Sequence, residues 1–122
     1  MIGYVTLGTN DLERAAKFYD AITAEFGVGR MGGDDKFIAW GVPGGAAGVG
    51  LTKPFDGNPA TVGNGVMVAF ECTSREQVDK VYALARSLGA ADEGGPGERF
   101  PGFYAAYFRD LDGNKLNAYI MG

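Results

Sequence analysis

The chain spells the same order of elements twice. Residues 2–8, Ile-Gly-Tyr-Val-Thr-Leu-Gly, make a short β-rich run bounded by Gly8 and Asn10, which reads as a strand. Asn10 can cap the helix that follows, with Glu13 three residues later as in a capping box. Leu12, Ala15, Tyr19, Ile22 and Phe26 recur at helical spacing, and Gly27 suits the stop. Short strands are expected around 28–32, 36–42 and 47–52. The second half repeats this. Residues 65–72 form a strand, Ser74 caps a helix with Gln77 as its partner, and Val78, Val81, Tyr82, Ala85 and Leu88 form its apolar stripe up to Gly89. A strand near 90–93, a Gly/Pro-rich loop from Gly94 to Gly102 and a strand over 103–109 come next. A turn at 110–114 follows, with Gly113 available for positive φ, and a closing strand runs from Lys115 to Met121. The first strands start about 63 residues apart. The pattern is an internal repeat of a βαβββ unit, hence an α+β fold. The competing reading is a plain α+β sandwich whose halves are alike by chance, because capped helices after strands are common. One domain is expected over 1–122. Module 1 covers about 1–53, a Pro-, Gly- and Asn-rich linker about 54–64, and module 2 about 65–122.

Composition narrows the function classes. Apolar residues are 46% of the chain and charged residues 21%, a globular balance. Net charge is −4 with no basic cluster, which argues against nucleic acid. No apolar run reaches bilayer length and no secretory leader pattern opens the chain, so a cytoplasmic protein without membrane contact is expected. Cys72 is the only cysteine; it has no internal partner, which suits a reducing compartment, and it reads as structural, with no histidine to activate it. Gly44-Gly45-Ala46-Ala47-Gly48 lacks the Lys and Ser/Thr of a phosphate loop.

Several stretches resemble a known family. They are the opening Tyr4-Val5-Thr6-Leu7-Gly8, the helix start Asn10-Asp11-Leu12-Glu13-Arg14-Ala15 with Phe18-Tyr19-Asp20 beyond, and Gly65-Val66-Met67-Val68-Ala69-Phe70. The ending Tyr107-Phe108-Arg109-Asp110-Leu111-Asp112-Gly113-Asn114-Lys115-Leu116 completes the set. The chain resembles the glyoxalase / bleomycin-resistance / extradiol-dioxygenase superfamily, the vicinal oxygen chelate proteins. The linker Lys53-Pro54-Phe55-Asp56-Gly57 with Gly63-Asn64-Gly65 looks like a small glyoxalase-like bacterial subgroup. The resemblance implies two βαβββ modules forming an eight-stranded U-shaped sheet with helices on the convex side, a ligand cavity on the concave side, and a homodimer. In active relatives a divalent metal sits in that cavity as a Lewis acid. The family's ligand positions fall here on Tyr4, on or near Gly50, on Met67 and on Asn117, and the chain contains no histidine. A tyrosinate, thioether and carboxamide suit a soft or ferric ion at most, so no metal site and no cofactor are expected.

If position 4 faces the cavity, period-two alternation turns Thr6 the same way. Met67 likewise predicts Ala69 and Glu71, and Asn117 predicts Lys115 and Tyr119. The expected ligand-binding residues are Tyr4, Thr6, Trp40, Met67, Glu71, Arg99, Asn117 and Tyr119, an apolar-aromatic lining with a few polar groups. Each also has a plainer role: Met67 and Tyr119 as core filling, and Trp40, Phe37 and Phe55 as core or dimer contacts. Arg99 reads either as a reach from a loop over the cavity mouth to an anionic group or as a solvated arginine. Glu71 is the only carboxylate on the predicted face; burial would make it a candidate base, and the alternative is a surface residue at a strand end. Three functions follow. The first is a metal-independent binder of a small organic molecule. The second is a metal-dependent or cryptic lyase, isomerase or dioxygenase of the glyoxalase type. The third is a non-catalytic dimeric interaction protein with a filled cavity.

Overall fold

The computed structural model describes residues 1–122 and divides into two compact units, 1–62 and 63–122. In the first, β1 (Tyr4–Gly8), α1 (Leu12–Ala24), β2 (Arg30–Gly33), β3 (Phe37–Trp40) and β4 (Gly48–Thr52) follow in order. In the second, the same series is β5 (Met67–Glu71), α2 (Arg75–Ser87), β6 (Ala91–Phe100), β7 (Phe103–Arg109) and β8 (Lys115–Met121). Each unit is a βαβββ module with a four-stranded mixed sheet, ordered β1-β4-β3-β2 and β5-β8-β7-β6. Its first strand runs parallel to its last, and its other pairings are antiparallel. The α+β class and the twofold module are therefore as the sequence pattern implies. The linker residues up to Val62 fall in the first unit, where Asn10 binds Ala60 through both ends of its carboxamide: Nδ2 donates to the Ala60 carbonyl at 3.2 Å and Oδ1 accepts from its N–H at 2.7 Å.

With its carboxamide engaged in those two hydrogen bonds, Asn10 does not take the capping role expected of it. Asp11 caps α1 instead, its Oδ1 accepting from Arg14 N–H at 3.0 Å. The second helix starts as expected, with Ser74 Oγ accepting from Gln77 N–H at 3.0 Å. Gly27 and Gly89, at φ 68° and 99°, let the chain turn left-handed just past the two helices.

One face of each sheet packs on its helix. In the first module the helix side carries Leu7, Ile38 and Leu51 in one row and Val5, Trp40 and Val49 in the next, closed by Leu12, Ala15, Phe18, Tyr19 and Ile22 of α1. In the second, Phe108 and Leu116 share a row, as do Ala106 and Ala118; these meet Val78, Val81 and Ala85 of α2, and all seven are fully buried. Each large side chain buried this way contributes roughly 1.5–3 kcal/mol. The stretch from Gly94 to Phe100, expected as loop, is strand. It holds β7 through three register irregularities, which absorb Pro96 and the glycines. As the outer strand of its sheet, β6 tolerates the N–H that proline lacks. No helix is long and apolar enough to cross a membrane.

Candidate functional site

In module 2 the face turned away from α2 collects the polar and aromatic side chains. The ladders place Met67 beside Lys115, Ala69 beside Asn117 and Glu71 beside Tyr119. Across the other edge of β8, Tyr107 lies beside Asn117, Ala105 beside Tyr119 and Arg109 beside Lys115. Residues paired this way point to one side of a sheet. Phe108 fixes which side it is not, because its ring packs against Tyr82 of α2. Asn117 sits at the middle of this face, 1% exposed, and its Oδ1 has no hydrogen-bond partner. A buried acceptor left unpaired costs about 1–3 kcal/mol, so position 117 holds a polar group at the expense of stability.

Two cations approach the ring of Tyr107, Asn117's neighbour. Arg99 Cζ and Lys115 Nζ each lie 5.4 Å from the centre of the Tyr107 ring, within cation–π range. Arg99 reaches the ring because the β6 backbone is clear beneath it. A Cβ on Gly97 would stand 2.9 Å from Nη1, and one on Gly94 would stand 3.2 Å from Nη2. The guanidinium also donates to the Gly95 carbonyl. Neither cation has a carboxylate partner, whereas Arg109 pairs with Glu93 and Arg75 with Glu98. Beyond Asn117, Phe100, Phe103 and Tyr119 form a stacked column, with centroids 4.8 and 5.7 Å apart and rings inclined by 5° and 28°. Glu71 stands at that aromatic end and is exposed, so the burial that would make it a base is not present.

Module 1 presents a different face. Tyr4, Thr6, Phe37, Ala39, Gly48 and Gly50 share the side away from α1. Tyr4 meets Phe37 edge-on at 6.3 Å. By ladder register Gly50 lies beside Thr6 as Asn117 lies beside Ala69, and Tyr4 corresponds to Met67. A family-type metal centre would draw on those four positions. Gly50 offers no side chain, and a Cβ there would stand only 2.7 Å from Phe37 Cε2, so the ring occupies the space a carboxylate needs. A phenol, a thioether and a carboxamide remain, which is a poor donor set for a hard divalent ion. No group of three or more Asp, Glu, Cys or His residues converges anywhere in the chain.

Trp40 does not join this face. It is 1% exposed on the helix side, tilted against Tyr19 at 5.6 Å, and its indole N–H donates to Asp20 Oδ1 at 2.8 Å. Asp20 also takes a bidentate bond from Arg30, which holds its carboxyl below the usual range. Placing Trp40 with the ligand-facing residues therefore fails on strand phase: Phe37 and Ala39 face away from the helix, so Ile38 and Trp40 face it. Of the other expected residues, Met67, Glu71, Asn117 and Tyr119 share the module 2 face with Arg99 over its Tyr107 edge, and Tyr4 and Thr6 share the module 1 face. Sequence reasoning missed Tyr107, Phe103 and Phe100. Alternation groups Phe103, Ala105 and Tyr107 on one side of β7, but only the ladder with β8 makes that side the one shared with Asn117. Cys72 is 3% exposed, and burial pushes its thiol up to about 11, which keeps it from acting as a nucleophile at neutral pH.

The family model described as Glyoxalase/Bleomycin resistance protein/Dioxygenase superfamily matches residues 1–118. The chain belongs to this superfamily. A crystal structure of a glyoxalase/bleomycin resistance protein from Albidiferax ferrireducens is similar at 39% identity and a TM-score of 0.89, with 98% of this chain and 97% of that one covered. A hypothetical protein from S. aureus is similar at 27% identity and a TM-score of 0.76, covering 96% and 91%. A superfamily enzyme from Burkholderia phytofirmans shares the fold at 19% identity and a TM-score of 0.76, covering 96% and 95%. No curated protein matches the sequence.

Proposed function

We propose that this superfamily member binds a small organic molecule on the sheet faces turned away from its helices, without a divalent metal of the family type. Asn117 carries the reading. It takes the register position where the family's last ligand falls, it is buried, and its Oδ1 accepts no hydrogen bond. A carboxamide there binds a hard cation weakly but accepts a hydrogen bond well. The glycine at the corresponding position of module 1, closed off by Phe37, supports the same reading. The similarity to a glyoxalase/bleomycin resistance protein agrees with either sequestration or turnover of the bound molecule. We assign sequestration, because Glu71 is exposed and Cys72 is buried and protonated. The protein works as a homodimer in this reading: β1 and β5 are outer strands of their sheets, and Tyr4, Val5, Val66 and Met67 beside them are apolar and exposed, the kind of edge that natural proteins cover.

The test is elemental analysis of untagged protein purified without added metal or chelator, followed by a ligand screen read by protein resonance shifts. Metal well below one ion per chain, with aromatic compounds shifting resonances at Ala69 and Ala105, is the expected result. One divalent ion per chain, with an activity lost on chelation, would replace this reading with a metal-dependent lyase or dioxygenase.

A further inference from the structure

We propose that the module 2 face takes a planar organic anion, its carboxylate held by Lys115 and Arg99 and one of its N–H or O–H groups donated to Asn117 Oδ1. This rests on the small-molecule reading above and adds the charge and shape of the ligand. The two cations carry the charge. Each lies 5.4 Å from the centre of the same ring, and neither takes part in an ion pair in a chain whose net charge is −4. Arg99 is exposed but anchored. It lies back over Gly94 and Gly97 and spends a donor on the Gly95 carbonyl, which leaves most of its five N–H groups for an oxyanion. Lys115 has three donors, and its ammonium lies over the Tyr107 ring.

The shape follows from the order along β8. Lys115, Asn117 and Tyr119 alternate on one face, about 7 Å between neighbours and about 13 Å end to end. A ligand spanning them meets positive charge first, then a buried acceptor with no donor, then the Phe103–Tyr119 rings. Glu71 beside Tyr119 puts negative charge at the far end and sets the direction of an anion. An aryl carboxylate with an internal N–H or O–H has this sequence of groups. Glycines at 94 and 97 are explained on the same terms, since an alanine at either would crowd the guanidinium.

The experiment is calorimetric titration of the full chain with N-benzoylglycine, N-(4-methylbenzoyl)glycine and N-(2-naphthoyl)glycine, each beside its neutral methyl ester, and with N-methyl-N-benzoylglycine. The variants Lys115→Gln, Arg99→Gln and Asn117→Leu are titrated in parallel, with circular dichroism to confirm folding. At least one acid is expected to bind about tenfold or more tightly than its ester, and to lose about that factor in Lys115→Gln and in Arg99→Gln. N-methylation is expected to weaken binding to the native protein and to leave Asn117→Leu unchanged. Esters that bind as tightly as the acids, or acids whose Kd ignores both cation variants, overturn the proposal. If the esters bind and shift resonances at Ala69 and Ala105, the small-molecule reading stands while the anion is refuted. If neither series binds, both readings fall. Arg99 is exposed on an outer strand, so that variant folds even if a core change does not.

Discussion

Replacing Asn117 with leucine should make the protein more stable. Leucine has the branched outline of asparagine but no polar atoms. It removes a buried acceptor whose desolvation is uncompensated, a penalty of about 1–3 kcal/mol. The row around position 117 is Ala69 and Tyr107, so an apolar group there meets a small side chain on one side and an aromatic ring on the other. For cooperative unfolding of 122 residues, about 2.1 cal/mol/K per residue gives an entropy near 0.26 kcal/mol/K. The gain then raises Tm by about 4–12 °C. Differential scanning calorimetry and a urea titration at unchanged m-value check it. Destabilisation by more than about 1 kcal/mol, with the fold intact, would refute the reasoning. It would mean that the carboxamide is satisfied in solution by groups of the protein itself, leaving no spare acceptor for a ligand at 117. The same variant should bind the aryl carboxylates more weakly than the native protein, so stability and binding are expected to move in opposite directions.

Gly97→Ala should push Arg99 off Tyr107, because the new Cβ would stand 2.9 Å from Nη1, the far end of a flexible side chain. Stability should change by less than about 0.5 kcal/mol while affinity for the aryl carboxylates falls, as titration would show. Asp20→Asn should flatten the acid limb of the stability curve. Arg30's hydrogen bond lowers the folded pKa of Asp20 below its ordinary 3.8, so its contribution is present above that value and lost as pH falls through the folded one; urea midpoints across acid pH test this. The effect should be small, since the pair is nearly half exposed. Cys72, with its thiol near 11 and its side chain buried, should resist a thiol reagent at pH 8 in the native protein and react fully in denaturant.

Much of this protein is legible along the chain. The helices announce themselves through their stripes and stops, and the cap at Ser74 stands where the pattern places it. The two βαβββ modules follow from the order of these local signals, which depend on neighbours a few residues apart. Period two also groups Met67 with Glu71 and Asn117 with Tyr119, because alternation within a strand is a local rule. What crosses between strands is not legible. Nothing near Asn10 in the chain reveals that Ala60 will claim its carboxamide, or that Asp11 will cap α1 instead. Phase within β3, and with it the burial of Trp40 against Tyr19 and Asp20, depends on which side α1 packs. The stretch after Gly94 becomes a strand because β7 offers it backbone partners that its own glycines and proline do not advertise. The pairing of Tyr107 with Asn117, and the seating of Arg99 and Lys115 around that ring, are fixed by ladder register between segments separate in sequence. Local propensity decides which elements form; pairing energies over the whole sheet decide which side chains meet, and the candidate site is made of those meetings.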